Sequence, residues 1–296
     1  MDGYVETPLP RTGPTPAETT PLVEWGGIEI ADMDLSRPLS PADRDRVLAL
    51  FRAHPVMVFR GQSPTREAQF DFSAQFGEVE TRHVGRHVDS VRYSAVHTVS
   101  NLNAQGEPIP IPAERGNYYW HSDKSYHAVP SLMTMLHAVE IPPAGGGTQF
   151  AHLGRAYAAL PDADKARIAG LRAVHSWELS RINCAGRPAT EEQKRERPPV
   201  EHPLVRTHPD TGAKGLYLGN HAGRIVGMDD AAGAALLRDL LAFATQPRFV
   251  YTHAWRSGDV VLWDNRCLVH RALPHDDMGS RRRVLHRTVV TGTVPY

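Results

Sequence analysis

The stretch Gly258-Asp259-Val260-Val261-Leu262-Trp263-Asp264-Asn265-Arg266-Cys267-Leu268-Val269-His270-Arg271-Ala272 carries the first structural signal of the chain. An apolar run, bounded by Gly-Asp before it and Asp-Asn-Arg after it, predicts a buried strand over Val260–Trp263. A polar turn and a lone histidine, His270, follow. Taken by itself, that imidazole either caps the turn or serves as a ligand. Thirteen positions beyond it begins Arg283-Val284-Leu285-His286-Arg287-Thr288-Val289-Val290. Side chains alternate along a strand, which puts Arg283, Leu285, Arg287 and Val289 on one face. Guanidinium groups on an apolar face are costly unless they meet anions, and their planar fork suits a carboxylate. The alternative is an edge strand whose arginines face solvent.

Further apolar runs predict strands over Ser131–Val139, Gly215–Leu218, Phe249–His253 and Val284–Val290, with Val56–Phe59 as a buried strand nearer the start. Helices are expected where a start signature precedes a spaced apolar stripe. Ser40-Pro41 leads into Val47, Leu48 and Phe51, and Ser63-Pro64 leads into Phe70 and Phe76 before Gly77. Asp229–Thr245 carries Leu236, Leu237, Leu240 and Leu241 at helical spacing, a core stripe. Short strands at irregular intervals, with helices flanking them, predict a mostly β protein: a barrel or two-sheet jelly roll rather than βαβ repeats. The chain lacks a dinucleotide glycine fingerprint, a phosphate loop and a Gly-x-Ser-x-Gly elbow, and Gly145-Gly146-Gly147 reads as a turn.

Composition narrows the function. The 296 residues are 41% hydrophobic and 22% charged, ordinary values for a globular protein. Lys plus Arg and Asp plus Glu number 33 each, so no net basic field favours nucleic acid or an anionic membrane as partner. Cys184 and Cys267 are the only cysteines, which fits a reducing, cytoplasmic setting without a disulfide framework. No run of about 18 apolar residues is present, so no membrane span is expected. Residues 1–20, rich in proline, are expected to be a flexible arm, with a single domain over 21–296 that assembles into a homo-oligomer. Within that domain, residues 185–202 combine prolines with dense charge and almost no large apolar side chains. They read as a solvated loop or as a lid over a pocket.

Sixteen histidines are the oddity of composition. His121-Ser122-Asp123 follows the aromatic run Tyr118-Tyr119-Trp120, and on a strand positions i and i+2 would present imidazole and carboxylate side by side. With a ligand from a distant strand, such a pair makes a facial triad, which leaves half of an octahedral iron open. Zinc favours three or four His/Cys ligands, and no such group is evident. His-x-Asp occurs four times, at His87/Asp89, His121/Asp123, His208/Asp210 and His275/Asp277, so the pair alone does not choose among them.

Six further motifs join the closing Arg283/Arg287 pair. They are Asp34-Leu35-Ser36-Arg37-Pro38-Leu39, Val58-Phe59-Arg60-Gly61-Gln62, Trp120-His121-Ser122-Asp123, Gly146-Gly147-Thr148-Gln149-Phe150-Ala151, His202-Pro203-Leu204-Val205-Arg206-Thr207-His208-Pro209 and Trp263-Asp264-Asn265-Arg266. Together they resemble the taurine dioxygenase/2,4-dichlorophenoxyacetate dioxygenase family from roughly Gly26 to Tyr296. The resemblance implies a double-stranded β-helix (a cupin-like jelly roll). It also implies oxidation of a small acidic substrate, coupled to decarboxylation of 2-oxoglutarate with Fe(2+) and O2. His121, Asp123 and His270 would be the iron ligands. Thr148 and Arg283 would hold the distal carboxylate of 2-oxoglutarate, with Trp263 lining that pocket. Arg287 would meet the acidic head of the substrate, and Asn117 and His221 would line its pocket.

Family members often carry the co-substrate arginine eleven positions after the last ligand, here Arg281. Arg283 is preferred, because it keeps Arg287 four residues on in one strand; the loop from Leu273 to Ser280 then carries two extra residues. Arg82, beside His83, stands where taurine-specific members place a histidine, which argues against taurine. Two rivals remain: a cupin-type metal-dependent hydrolase or isomerase without 2-oxoglutarate, and a non-catalytic jelly-roll binding protein.

Overall fold

The computed structural model describes residues 19–81, 95–110, 115–185 and 188–296. Strands β1 (Thr19–Val23) and β2 (Gly27–Ile30) come first, followed by helix α1 (Pro41–Ala53), β3 (Val56–Phe59), α2 (Arg66–Ala74) and β4 (His97–Ser100). Next come β5 (Ser131–Glu140), β6 (Thr148–His152), α3 (Leu153–Ala158), α4 (Asp162–Ile168), β7 (Arg172–His175) and α5 (Trp177–Ala185). They lead to α6 (Glu191–Glu196), β8 (Val200–Pro203), β9 (Val205–Thr207), β10 (Lys214–Leu216) and β11 (Ala222–Ile225). Helix α7 (Asp230–Ala244) precedes the last four strands, β12 (Val250–His253), β13 (Val260–Asp264), β14 (Leu268–Ala272) and β15 (Val284–Thr291).

Seven strands form the main sheet in the order β1-β2-β3-β13-β5-β15-β4, and three form a second sheet, β12-β6-β14. Every residue of β3 and of β13 is buried, because both faces of the main sheet are covered there. Their side chains still alternate between two cores. Met57, Phe59, Val260 and Leu262 pack outward with Val47, Phe51 and Phe72 of α1 and α2. Val56, Val58, Val261 and Trp263 pack inward with Phe150 of β6, Leu268 of β14 and Leu285 of β15. Two sheets thus face one another across a shared core, with helices outside: a jelly roll. Each fully buried Val, Leu or Phe contributes about 1.5–3 kcal/mol, so this inter-sheet contact is what holds the frame.

Helix signals are met with one shift. Ser40 caps α1, its Oγ accepting from Asp43 N at 3.1 Å. The second cap is Thr65 rather than Ser63, accepting from Ala68 N at 3.1 Å. Pro64 holds the residue before it extended, which moves the first helical turn past it. Leu236, Leu237 and Leu240 of α7 are core residues, packed with Ile225 and Phe249. Four helices in the middle, α3 to α6, have no counterpart in the sequence reading. They are six to nine residues long, too short for an apolar stripe to show its period.

Within the stretch expected to be a solvated loop or lid, the described residues 188–202 carry regular structure. Thr190 and Gln193 close a capping box around α6, and β8 pairs with β7, so caps and a strand partner supply the order that apolar burial does not. Of the expected arm over residues 1–20, Thr19 and Thr20 pair with Ile30 and Glu29, and the rest lies outside the described residues. Arg82, His83 and the His87/Asp89 pair lie outside the described residues. Among the described residues no helix is long and apolar enough to cross a membrane.

Candidate active site

His270 lies on β14, and an isolated bridge joins its backbone to that of His121. His121 N donates to His270 O at 3.0 Å, and His270 N donates to His121 O at 2.8 Å. His121 is therefore not on a strand of its own, as the i, i+2 argument supposed, and Asp123 falls in the turn that follows. What aligns the carboxylate is a net of hydrogen bonds around Asn265. Its Oδ1 accepts from Asp123 N at 3.2 Å and from Trp263 Nε1 at 3.1 Å. Its Nδ2 donates to Thr134 Oγ1 at 2.8 Å, and Thr134 Oγ1 donates to Asp123 Oδ2 at 2.6 Å. All four residues are buried. Neither Asn265 nor Thr134 was a candidate from sequence; the only signal is a polar run at the end of β13.

His121 Nε2 lies 3.7 Å from Asp123 Oδ1, and His270 Nε2 lies 3.9 Å from Asp123 Oδ2. One ligand atom from each of the three residues falls within 4.8 Å of the others. His121 Nδ1 is hydrogen-bonded to Tyr119 O at 2.7 Å, which leaves Nε2 to face the cluster. Burial, helped by His121 and Arg287 against the pull of Asp123, pushes His270 down to about 3, so its imidazole is neutral with a lone pair to offer. Burial opposes ionisation of Asp123, but His270, Arg287, His121 and the Thr134 hydroxyl outweigh it and hold the carboxyl well below its usual range. Two imidazoles and a carboxylate, buried and convergent, fit a divalent transition metal with open positions.

The other His-x-Asp pairs that can be seen do not make such a set. His208 Nε2 donates to Asp264 Oδ2 at 3.0 Å, and an Arg266 nitrogen grips the same oxygen at 2.7 Å. Cys267 stands nearby, but burial and Asp264 push its thiol well above the usual range, and Arg266 already occupies the carboxylate. Asp277 is exposed and reaches Arg281 instead.

Two cavities meet at the cluster. The narrower, about 50 Å³, is lined by Thr148, Trp263, His275, Arg283 and the two histidines His121 and His270. Arg283 is buried, and its Nε donates to Gly146 O at 2.9 Å. Gly146 takes φ 66°, and a Cβ there would stand 3.3 Å from Arg283 Nε, so glycine is what lets the guanidinium enter. Burial draws Arg283 down to about 10, which leaves it charged at neutral pH. Arg281, by contrast, has a side chain 60% exposed. Thr148 Oγ1 accepts from Trp255 Nε1 at 3.0 Å, a partner with no signal in the sequence.

The wider cavity, about 160 Å³, is lined by Asn117, Asp123, Lys124, Trp177, His221 and Arg287, among others. Arg287 and Asn117 border both cavities. Arg287 brings a nitrogen to 3.5 Å from Asp123 Oδ1, while its buried Nε has no hydrogen-bond partner. His221 Nδ1 is bonded to Ser125 Oγ at 2.9 Å, and burial together with His121 pushes this histidine down to about 3. Every site candidate drawn from the sequence borders one or both cavities. Lys124, His275 and Trp177 line them too and were missed.

The sequence profile of the taurine catabolism dioxygenase TauD, TfdA family matches residues 18–289. The chain is 36% identical over 271 residues to the alpha-ketoglutarate-dependent 2,4-dichlorophenoxyacetate dioxygenase of Burkholderia sp. (strain RASC), spanning 89% of this chain and 91% of the relative. It is 35% identical over 269 residues to the (S)-phenoxypropionate/alpha-ketoglutarate-dioxygenase of Sphingobium herbicidovorans, spanning 89% of each. The crystal structure of AAD-2 in complex with Mn(II) and N-oxalylglycine matches with a TM-score of 0.85 at 37% identity, over 94% of this chain and 99% of that one. Fold and likeness at this coverage make the chain an oxidoreductase of the 2-oxoglutarate-dependent dioxygenase class. It belongs to the taurine catabolism dioxygenase TauD, TfdA family.

Proposed function

We propose that the chain uses Fe(2+), 2-oxoglutarate and O2 to oxidise a C–H bond of a small acidic organic substrate, releasing succinate and CO2. Hydroxylation, desaturation and hydroxylation-triggered cleavage are the outcomes open to it. One arrangement carries this reading: two buried imidazoles and a carboxylate converge where two cavities meet, with Arg283 in one cavity and Arg287 bordering both. His121, Asp123 and His270 would hold the iron, whose remaining positions suit a chelating keto acid and oxygen. Bound iron would supply the oxygen chemistry, which no side chain can.

Placement is the protein's own part. Arg283 and Thr148 would take the distal carboxylate of 2-oxoglutarate, with Trp263 as a wall. Arg287 would take the acidic group of the substrate, and its orphaned Nε supports this, since a buried unpaired donor is costly until a ligand completes it. Asn117 and His221 would border the substrate. The relatives support the substrate class, because 2,4-dichlorophenoxyacetate and phenoxypropionate are both carboxylic acids. AAD-2 supports the co-substrate, because N-oxalylglycine is an analogue of 2-oxoglutarate. A hydrolase or isomerase on the same frame, or a binding protein, would leave the convergence of triad, Thr148 and Arg283 without a purpose. Residues 185–202 would act as a lid, supported by Arg197, which stacks 4.4 Å over the ring of Trp177 in the cavity wall. A cytoplasmic setting and homo-oligomeric assembly belong to the same proposal, and light scattering tests the second.

Protein loaded with Fe(2+) without oxygen, then given oxygen, 2-oxoglutarate and a panel of acids, should form succinate above the substrate-free rate. His121→Ala, Asp123→Ala and His270→Ala should each abolish this while circular dichroism stays unchanged. Survival of activity in His121→Ala, with His275→Ala dead instead, would sink the triad. Arg287→Ala should weaken the acid far more than 2-oxoglutarate, and Arg287→Lys should restore only part, because an ammonium lacks the planar fork. Equal use of an acid and its neutral amide by the wild type would remove Arg287 from this role.

A further inference from the structure

Lys124 directly follows Asp123 and holds φ 55°, a left-handed conformation that residues with a side chain seldom adopt. In that conformation it lines the wider cavity together with Arg287, Asn117 and Trp177. Its ammonium pairs with Glu80, whose other oxygen accepts from Ser131 Oγ at 3.4 Å. An ammonium has three N–H donors, and a single carboxylate that is also shared with a hydroxyl does not use them all. The Lys124 and Glu80 side chains are only 24% and 14% exposed, so bulk water is a poor outlet for the remaining donor capacity, and the cavity is the adjacent one.

Charge points the same way. In the reading given above Asp123 is committed to the metal, and Glu80 is committed to Lys124. Arg287 borders the cavity, and its one carboxylate partner there is Asp123 at 3.5 Å, which the metal would claim. Arg181 and Arg197 stack on Trp177 in its wall, at 4.9 and 4.4 Å from the ring centre. A monoanion held by Arg287 leaves this surplus of cations unanswered. A neutral hydroxyl could accept from Lys124, yet it would not offset the charge.

We propose that Lys124 is a specificity-determining residue that selects a second oxyanion, so that the substrate is a diacid. One carboxylate meets Arg287; the other acidic group, a carboxylate, sulfate or phosphate, meets Lys124, with the body of the molecule against Trp177 and Tyr126, which also lines this cavity. This rests on the assignment of Arg287 under the proposed function and narrows it.

The test uses matched probes: phenoxyacetate against 4-carboxyphenoxyacetate, and hexanoate against adipate. Iron-loaded wild type should favour the diacid of a pair in kcat/KM, measured from initial rates of substrate-stimulated succinate formation against substrate concentration. In Lys124→Met the diacid-to-monoacid ratio should fall by roughly tenfold to a hundredfold, the range for losing a hydrogen bond to a charged group. Because that change strands Glu80, the double variant Lys124→Met/Glu80→Gln is measured beside it and should show the same fall. Glu80→Gln alone, which frees the ammonium, should raise the ratio. Melting temperature in Mn(II) and N-oxalylglycine gives a readout without turnover: the diacid should raise it more than the monoacid in wild type, and not in the double variant. A wild type that prefers monoacids, or a ratio unmoved in the double variant, overturns the role of Lys124 and leaves the acidic-substrate reading standing. Failure of every acid to stimulate succinate formation defeats that reading, and the diacid with it.

Discussion

Arg281 and Arg283 sit two positions apart in different surroundings, one with its side chain 60% exposed beside Asp277, the other buried against Gly146. Arg283→Ala should therefore raise the 2-oxoglutarate requirement steeply, since truncating one partner of a buried charge pair costs about 2–5 kcal/mol. Arg281→Ala should leave it within about twofold, as exposed pairs contribute little. Succinate formation titrated against 2-oxoglutarate separates the two, and the reverse pattern would restore the shorter register. The sequence preferred Arg283 by extending a strand period back from Arg287. Arg283 precedes β15, however, and the register shifts between Val284 and Leu285, so the burial of Arg283 comes from the turn at Gly146 rather than from that period. Asn265 was not legible. Its partners Thr134 and Asp123 are 131 and 142 positions away, and no local pattern announces a contact of that range. Asn265→Ala would leave Asp123 N and Trp263 Nε1 without their acceptor. The expected result is iron binding weakened by about 10–100-fold, read by anaerobic Fe(2+) titration, with unchanged affinity excluding a positioning role.

At the scale of the element, β13 ends on Asp264, 1% exposed and held by Arg266 and His208. Burial works against its ionisation, yet the His208 and Arg266 hydrogen bonds outweigh it and bring Asp264 down to about 2 from an ordinary 3.8. A folded value below the unfolded one means that the carboxylate stabilises the fold above the unfolded value, and that this is lost as pH falls through the folded one. Asp264→Asn should therefore lower unfolding free energy at pH 7 by about 3–5 kcal/mol, the usual effect of breaking a buried pair. The gap to wild type should narrow by about 2 kcal/mol as pH drops from about 4 towards 2. Urea unfolding across that range checks it, and a gap that stays constant would contradict the assignment. Strands such as β13 and β15 were readable because each is a short run rich in apolar and β-branched residues, local in the chain and bounded by polar residues. The helices α3 to α6 were not, since at six to nine residues they are too short for an apolar stripe to show its period. The strand expected around His121 failed for a related reason: one bridging residue is enough to align it, and a single residue has no period.

For the whole molecule, two sheets share one apolar core, and the metal-binding candidates hang at its edge. The frame should outlast the metal. Chelation is expected to abolish succinate formation while lowering the melting temperature by only a few degrees, the range for losing a ligand that binds only the folded state. Unfolding on chelation at room temperature would mean that the metal is part of the frame. The reciprocal bridge between His121 and His270 carries a consequence of its own. Each amide hydrogen of this pair is covered by the carbonyl of the other, so neither can be exposed while the other stays closed. Once corrected for intrinsic exchange, deuterium should then enter at both positions with one common protection factor, with or without metal. Peptides spanning 121 and 270, followed together by mass spectrometry, would time the opening of this clasp directly.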